Sequence, residues 1–511
     1  PLVIPVNPVS QRLLGLFPNS ANGLPATVNN FLGSDESIYD SDNGIIKLDH
    51  VFNERHNINV RYFGGTGAQT AFDGSPLSDY FQTAPSRMHN YSLIQNSVWS
   101  PKLISQLVIG VNYFKQTFDV ANISQDAQAL GLITNASRTG PPAISISGFA
   151  RAGGSGLLPA GRIDTTWHIT DTFTWTLNNH QLKFGGEVRR AYLDIFYDSF
   201  TRGQFFFDGS RGPWRTDTTV SAQARALADF LAGFVRPNNG ATILRGSPAR
   251  DYRQNSADWF THDTWKVTPK LTLNYGVRFT YNGPLYDVKN SIANFDPANG
   301  FFVVGRDSSV LYQRDWNNYA PRVGFAYSFG KSEKTVLRGG YGIYYDLPAA
   351  SFFTSNTPGN QAASGIGNNP AGPSPVFTIN RGNAAGNFTP DYGTGVQIFG
   401  STLVPPYGVF GVSQDFRTPY VQNFNLNVQH QLARTTVLQV GYVGALGRKL
   451  SITRSANAAL PGPGTVQSRR PYNTRFPDVG AISLLESVGN SHYNSLQVSL
   501  NQGLWKGLSS Q

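Results

Sequence analysis

Eight histidines stand at positions 50, 56, 89, 168, 180, 262, 430 and 492. Imidazole is the side chain best suited to moving a proton or holding a transition metal near neutral pH. Their arrangement supports neither role: no HExxH or other close ligand spacing occurs, and the absence of cysteine removes thiolate zinc sites. His262 and Asp263 are adjacent, but neighbours in an extended segment point to opposite faces, so they are not expected to share an ion. No G-x-S-x-G, P-loop or complete G-x-G-x-x-G is present, and RGGYGIYY at 338–345 is glycine-rich in the manner of a crowded strand wall. The chain reads as a non-enzyme with no catalytic residue, metal or cofactor.

A second set of polar side chains has a different pattern. Lys47, Asp49, Arg61, Lys183, Glu187, Arg189, Arg278, Arg322 and Arg338 each sit in a segment where polar residues alternate with apolar ones. Such alternation is the period of a strand, with one greasy and one wet face. Segment 271–281, LTLNYGVRFTY, places Leu271, Leu273, Tyr275, Val277, Phe279 and Tyr281 on one side and Arg278 on the other. NFNLNVQHQL at 423–432, SQLVIGVNY at 105–113 and LKFGGEVR at 182–189 repeat the pattern.

These strands pair through short turns. Residues 46–52 turn through NERH into 58–63, 91–99 through SPKL into 104–114, and 167–177 through NNHQ into 182–190. Residues 258–267 turn through TPK into 271–281, 322–329 through GKSEK into 335–345, and 422–432 through ARTT into 437–443, with a further pair opening at 493. Pair starts recur about every 75 residues, far more than compact hairpins need. The excess lies in Gly-, Pro-, Asn- and Ser-rich stretches such as 347–415. ALADFLAGF at 226–234 predicts a short amphipathic helix inside one long connection or across a rim. Loop aromatics such as Tyr392 and Tyr407 suit stacking on a ligand and ordinary loop packing equally.

Only 14% of the 511 residues are charged, against roughly a quarter in soluble domains. No apolar run reaches the length of about 18 that a membrane helix needs. An eleven-residue strand extends roughly 36 Å, and tilting near 45° leaves about 25 Å, the height of the apolar band of an outer-membrane barrel. Arginine facing lipid at mid-depth costs about 2–4 kcal/mol, so the nine charged residues above are expected to face a hydrated or plugged lumen. The net charge of +10 comes without any block of five like charges, so nucleic acid is not an expected partner.

Several segments resemble the barrel of Oar-like TonB-dependent outer-membrane receptors. NNYAPRVGFAYSFGKSEKTVLRGGYGIYYD at 317–346 is the most similar, followed by WFTHDTWKVTPKLTLNYGVRFTY, FRTPYVQNFNLNVQHQL, GYVGALGRKL and NSHYNSLQVSLNQGLWKGLS. The resemblance implies an all-β fold, a transmembrane antiparallel up-and-down β-barrel of 22 strands with long extracellular loops and short periplasmic turns. About 13 strands are readable here. It further implies a plug domain within the lumen and import energised by an inner-membrane TonB complex. Residues 45–511 are expected to form a partial receptor barrel, the plug and the last strands lying outside the chain. Residues 1–44 are expected to be a lead-in segment, either following the plug or within an early barrel loop. The expected location is the outer membrane of a Gram-negative bacterium, with lipid around the wall and an oligosaccharide, siderophore, peptide or protein as substrate. A passive porin and a secreted or surface glycan-binding adhesin are the alternatives.

Overall fold

A computed structural model describes residues 5–510 except 20–30, 32, 34, 133, 135–137, 237–239, 245–248, 291, 331–333, 354–361, 364–376, 379–381, 384–405 and 506–507. Thirteen long strands among the described residues form one continuous antiparallel wall. They are β1 (Ile38–Asn53), β2 (His56–Ala71), β3 (Ser86–Ser100), β4 (Leu103–Val120), β5 (Ala160–Leu177), β6 (His180–Tyr197) and β7 (Arg250–Thr268). The wall continues with β8 (Leu271–Asn282), β9 (Tyr319–Phe329), β10 (Thr335–Tyr345), β11 (Tyr420–Ala433), β12 (Thr436–Ser455) and β13 (Val479–Trp505). Every strand pairs with its sequence neighbour, so each hairpin read from the alternation is present. Most strands are longer than their apolar stretch, because their ends continue pairing beyond the greasy band.

The tight turns are built by local side-chain bonds. Asn53 Oδ1 accepts from the backbone N–H groups of Arg55 and His56 at 2.9 and 3.0 Å. In the two similar turns S-P-K-L and T-P-K-L, Ser100 Oγ accepts from Lys102 and Leu103, and Thr268 Oγ1 accepts from Lys270 and Leu271. Each of these three turns follows a register shift in the strand that enters it, an extra residue that tightens the local twist. The turn at Asn178 instead uses a left-handed backbone, φ 50°, which asparagine tolerates.

Register carries the apolar face across the whole wall. Leu48, Val60, Leu93, Ile109, Ile169 and Val188 are successive cross-strand partners from β1 to β6. Trp265, Leu273, Phe325, Gly339, Leu426, Tyr442 and Leu496 continue a row from β7 to β13. Among the described residues no layer covers these rows: Val188 is 59% exposed, Leu426 50% and Leu496 71%. Near the tight turns the same face shows Phe52, Trp99, Trp175, Phe329 and Leu432, all exposed. Buried apolar clusters lie elsewhere, among the long connections and the strand ends that enter them. A sandwich core is therefore not what receives the apolar face. Among aromatic residues near strand ends, alternation sends Tyr62, Tyr113 and Tyr341 to this face and Phe63, Phe114 and Tyr344 to the other.

Leu426→Arg is expected to lower the unfolding free energy in lipid vesicles by about 2–4 kcal/mol, as a cation at mid-depth must leave water. Asn427→Arg, one residue away on the polar face, should change it by no more than about 0.5 kcal/mol. Denaturant titration of the two variants in vesicles compares them directly.

Candidate functional site

Strand parity places Lys47, Asp49, Arg61, Lys183, Glu187, Arg189, Arg278, Arg322 and Arg338 together on the face opposite the apolar rows. They do not form one cluster. Near the β1 edge, Lys47 Nζ lies 3.1 Å from Asp49 Oδ2, and Asn59 donates to the same carboxylate across the hairpin. Arg61 is the register partner of Lys47. Arg338 stands apart on β10, donating to Gln429 Oε1 on β11 at 2.9 Å.

The central group is denser. Glu187 on β6 takes Arg189 at 2.5 Å, and Arg278 on β8 reaches Asp258 on β7 at 3.1 Å and Glu187 at 3.9 Å. Asp258, missed as a site residue in the sequence, has the same parity as His262, which was the available signal. Lys183, His262, Gly276, Arg322 and Gly342 are successive register partners from β6 to β10. A concavity of about 230 Å³ lies over this row, bounded by Lys183, Phe260, His262, Arg278 and Arg322. Arg322 lies 4.3 Å from the ring centroid of Tyr344, an arrangement in which the ring quadrupole attracts the cation.

Asp263, adjacent to His262, projects from the opposite, apolar face. Its Oδ2 accepts from Tyr275 Oη at 2.7 Å and contacts His180 Nδ1 at 2.7 Å. Trp265 stacks on the His180 ring with centroids 5.1 Å apart. A carboxylate among lipid-facing residues is costly, and here two neighbouring strands cover it, leaving its side chain 7% exposed.

The rim carrying the long connections is a folded layer. Helix α1 (Pro8–Leu13) and helix α2 (Ala222–Ala232) pack with Tyr80, Ile144, Phe205 and Phe207 into one core. Helix α2 starts earlier than the apolar pattern suggested, because Ser221 Oγ caps Ala224 N–H, and it ends at Gly233 in a left-handed conformation, φ 75°. It lies within the connection between β6 and β7. Asp229 on α2 accepts from Trp214 Nε1 at 2.8 Å and from Arg211 N–H at 3.1 Å. Burial outweighs these bonds and pushes its carboxyl up to about 6. Arg202, buried in the connection after β6, grips Asp119 at the C-terminal end of β4 with two bonds of 2.6 and 3.0 Å. Asn294 spans two further connections, with bonds from Nδ2 to the carbonyls of Leu311 and Val412 and from Val412 N–H to Oδ1.

A cavity of about 460 Å³ opens on this rim beside Phe17, Phe31, Asp35, Asp79, Tyr80 and Asn122. Burial, with Asp79 nearby, pushes the Tyr80 phenol up to about 12, and its hydroxyl donates to Leu16 O at 2.6 Å. Tyr392 lies outside the described residues, as does the side chain of Tyr407.

An antiparallel wall with an uncovered apolar face, a charged opposite face, tight turns on one rim and long connections on the other defines a transmembrane β-barrel of the outer-membrane class. Residues 2–511 match the Outer membrane beta barrel domain family, and the chain belongs to it. The protein is accordingly a component of the outer membrane. The outer membrane transporter YddB from Escherichia coli is similar in fold, with TM-score 0.52 and 10% identity over 91% of this chain and 45% of that one. The siderophore receptor PirA from Pseudomonas aeruginosa gives TM-score 0.44 and 10% identity over 92% of this chain and 55% of that one. The chain thus spans about half the length of these solved structures. No curated protein matches the sequence.

Two outcomes test the site chemistry. Asp263→Ala strands the His180 and Tyr275 polar groups and is expected to cost about 1.5–3 kcal/mol in vesicle unfolding; an unchanged midpoint would show the bonds to be inconsequential. Asp229 has a folded value near 6 against 3.8 in an ordinary carboxyl, so its contribution is complete below about pH 4 and lost as pH rises through about 6. Limited proteolysis of the 198–249 connection should therefore be faster at pH 7.5 than at pH 5 relative to an Asp229→Asn variant, in which that pH dependence disappears.

Proposed function

We propose that this chain is the barrel wall of a TonB-dependent, Oar-like receptor that captures a substrate at the long-connection rim and imports it along the charged inner face. The observation that carries the reading is the asymmetry of the two rims. Tight turns close one rim, five of them with two residues each, whereas the other holds connections with their own apolar cores, buried ion pairs and a concave opening. Building a folded layer costs chain length and conformational entropy, and it provides the preorganised surface that ligand capture requires. The inner face, lined by both signs of charge, suits the hydrated passage of a polar cargo. In this reading the rim faces the outside, the tight turns face the periplasm, and a plug of the same polypeptide regulates the lumen. The cargo is an oligosaccharide, siderophore, peptide or protein, and the barrel wall performs no catalysis.

The full-length protein, restored to a deletion strain, is expected to support growth on one such nutrient. Collapsing the proton-motive force should abolish accumulation. Uptake that continues unchanged without that force, together with rapid sugar flux through vesicles, would replace the receptor by a passive porin.

A further inference from the structure

The inner-face concavity between β6 and β9 has a charge distribution that the wall itself does not balance. Arg278 is engaged by Asp258 and Glu187, and Arg189 by Glu187. Lys183 and Arg322 border the same space, and neither has an ion-pair partner among the described residues. Arg322 Nε is buried without a hydrogen-bond partner among the described residues. Gly276 and Gly342 are the register partners on either side of Arg322, with the His262 ring leaning over Gly276 and the Tyr344 ring over Gly342. At Gly276 a Cβ would meet the Thr261 carbonyl at 2.4 Å and the His262 Cα at 2.8 Å, so the backbones approach too closely there for any other residue. Tyr344 backs the guanidinium, which borders the concavity.

We infer that Lys183 and Arg322, with His262 between them in register, form an oxyanion site on the lumen wall. It takes a carboxylate or phosphate group. A planar guanidinium supplies paired donors to such a group, and an ammonium adds a movable point charge. Two cations facing a concavity of about 230 Å³ repel each other unless an anion lies between them. The salt-bridged neighbours Glu187 and Asp258 are held by Arg189 and Arg278, which keeps these carboxylates from occupying the site. The oxyanion comes from the cargo in transit or from an acidic side chain of another segment of the same polypeptide.

This site deepens the import reading and rests on it only for the direction of traffic, since binding is measured on purified protein without transport. The test uses full-length protein in detergent, inorganic phosphate as the probe, and calorimetric titration at low and high salt. Phosphate binding that weakens at least tenfold in Lys183→Gln/Arg322→Gln, and falls with salt, supports the site with an exogenous oxyanion as occupant. Arg322→Lys should retain part of the affinity, and Lys102→Gln, in a tight turn, should retain all of it. If phosphate does not bind but the double variant lowers the thermal midpoint where Lys102→Gln does not, the site holds an internal carboxylate. Neither phosphate binding nor a selective midpoint shift, in variants that keep heat-modifiable migration, overturns the site. Failure of the uptake assay with phosphate binding intact removes the import reading and leaves the site standing.

Discussion

A surface that repeats apolar side chains across thirteen paired strands, with none of the described residues packed on it as a second layer, must be dissolved in something other than water. Val188, Leu426 and Leu496 belong to rows that run from strand to strand in register. At about 25 cal/mol per Å² of apolar area, such rows would strongly favour aggregation in water. In hydrocarbon the same rows are the proper solvent contact, and backbone polar groups are satisfied within the wall. Every other feature of the molecule follows from that choice of solvent. The charged residues must turn inward, the turns must lie beyond the band, and apolar packing of the ordinary kind must be placed outside it.

The last requirement explains the division between wall and rim. The wall has no interior of its own, so its strands are held by ladders and by cross-strand side-chain contacts. The connections behave as small globular units, with Phe205, Phe207 and Phe230 fully buried in one and Tyr312, Phe353 and Phe416 in another. Asn294 and Asn457 each bridge backbone groups distant in sequence, as buried amides do in soluble domains. Helix α1 joins the same core as α2 although more than two hundred positions separate them.

Electrostatics divides along the same line. On the polar face, opposite charges pair between strands of the wall, as Arg278 does with Asp258 at 3.1 Å. Asp263 shows what the other face demands: a carboxylate there is covered by Tyr275 and His180 from the adjoining strands, with Trp265 stacked on the His180 ring. The aromatic residues near the tight turns, Trp99 and Trp175 among them, fit the boundary at which a ring can be apolar on one side and wet on the other.

Alternation alone was enough for the strands, their pairing and their two faces, because it is local and a strand shows its period within ten residues. The sequence also placed α2 approximately, and it put Lys183, Arg278 and Arg322 on the wet face one strand at a time. Register decided the rest. Only pairing brings Lys183, His262, Gly276 and Arg322 into one row, since no spacing along a chain shows which residues of β6 and β9 stand level. The partners of Asp263, the length of β13 and the joining of α1 to the rim core were equally out of reach. Each depends on contacts between segments far apart in the chain, whose geometry is fixed by the wall as a whole, whereas the choice between oil and water is written into every second residue.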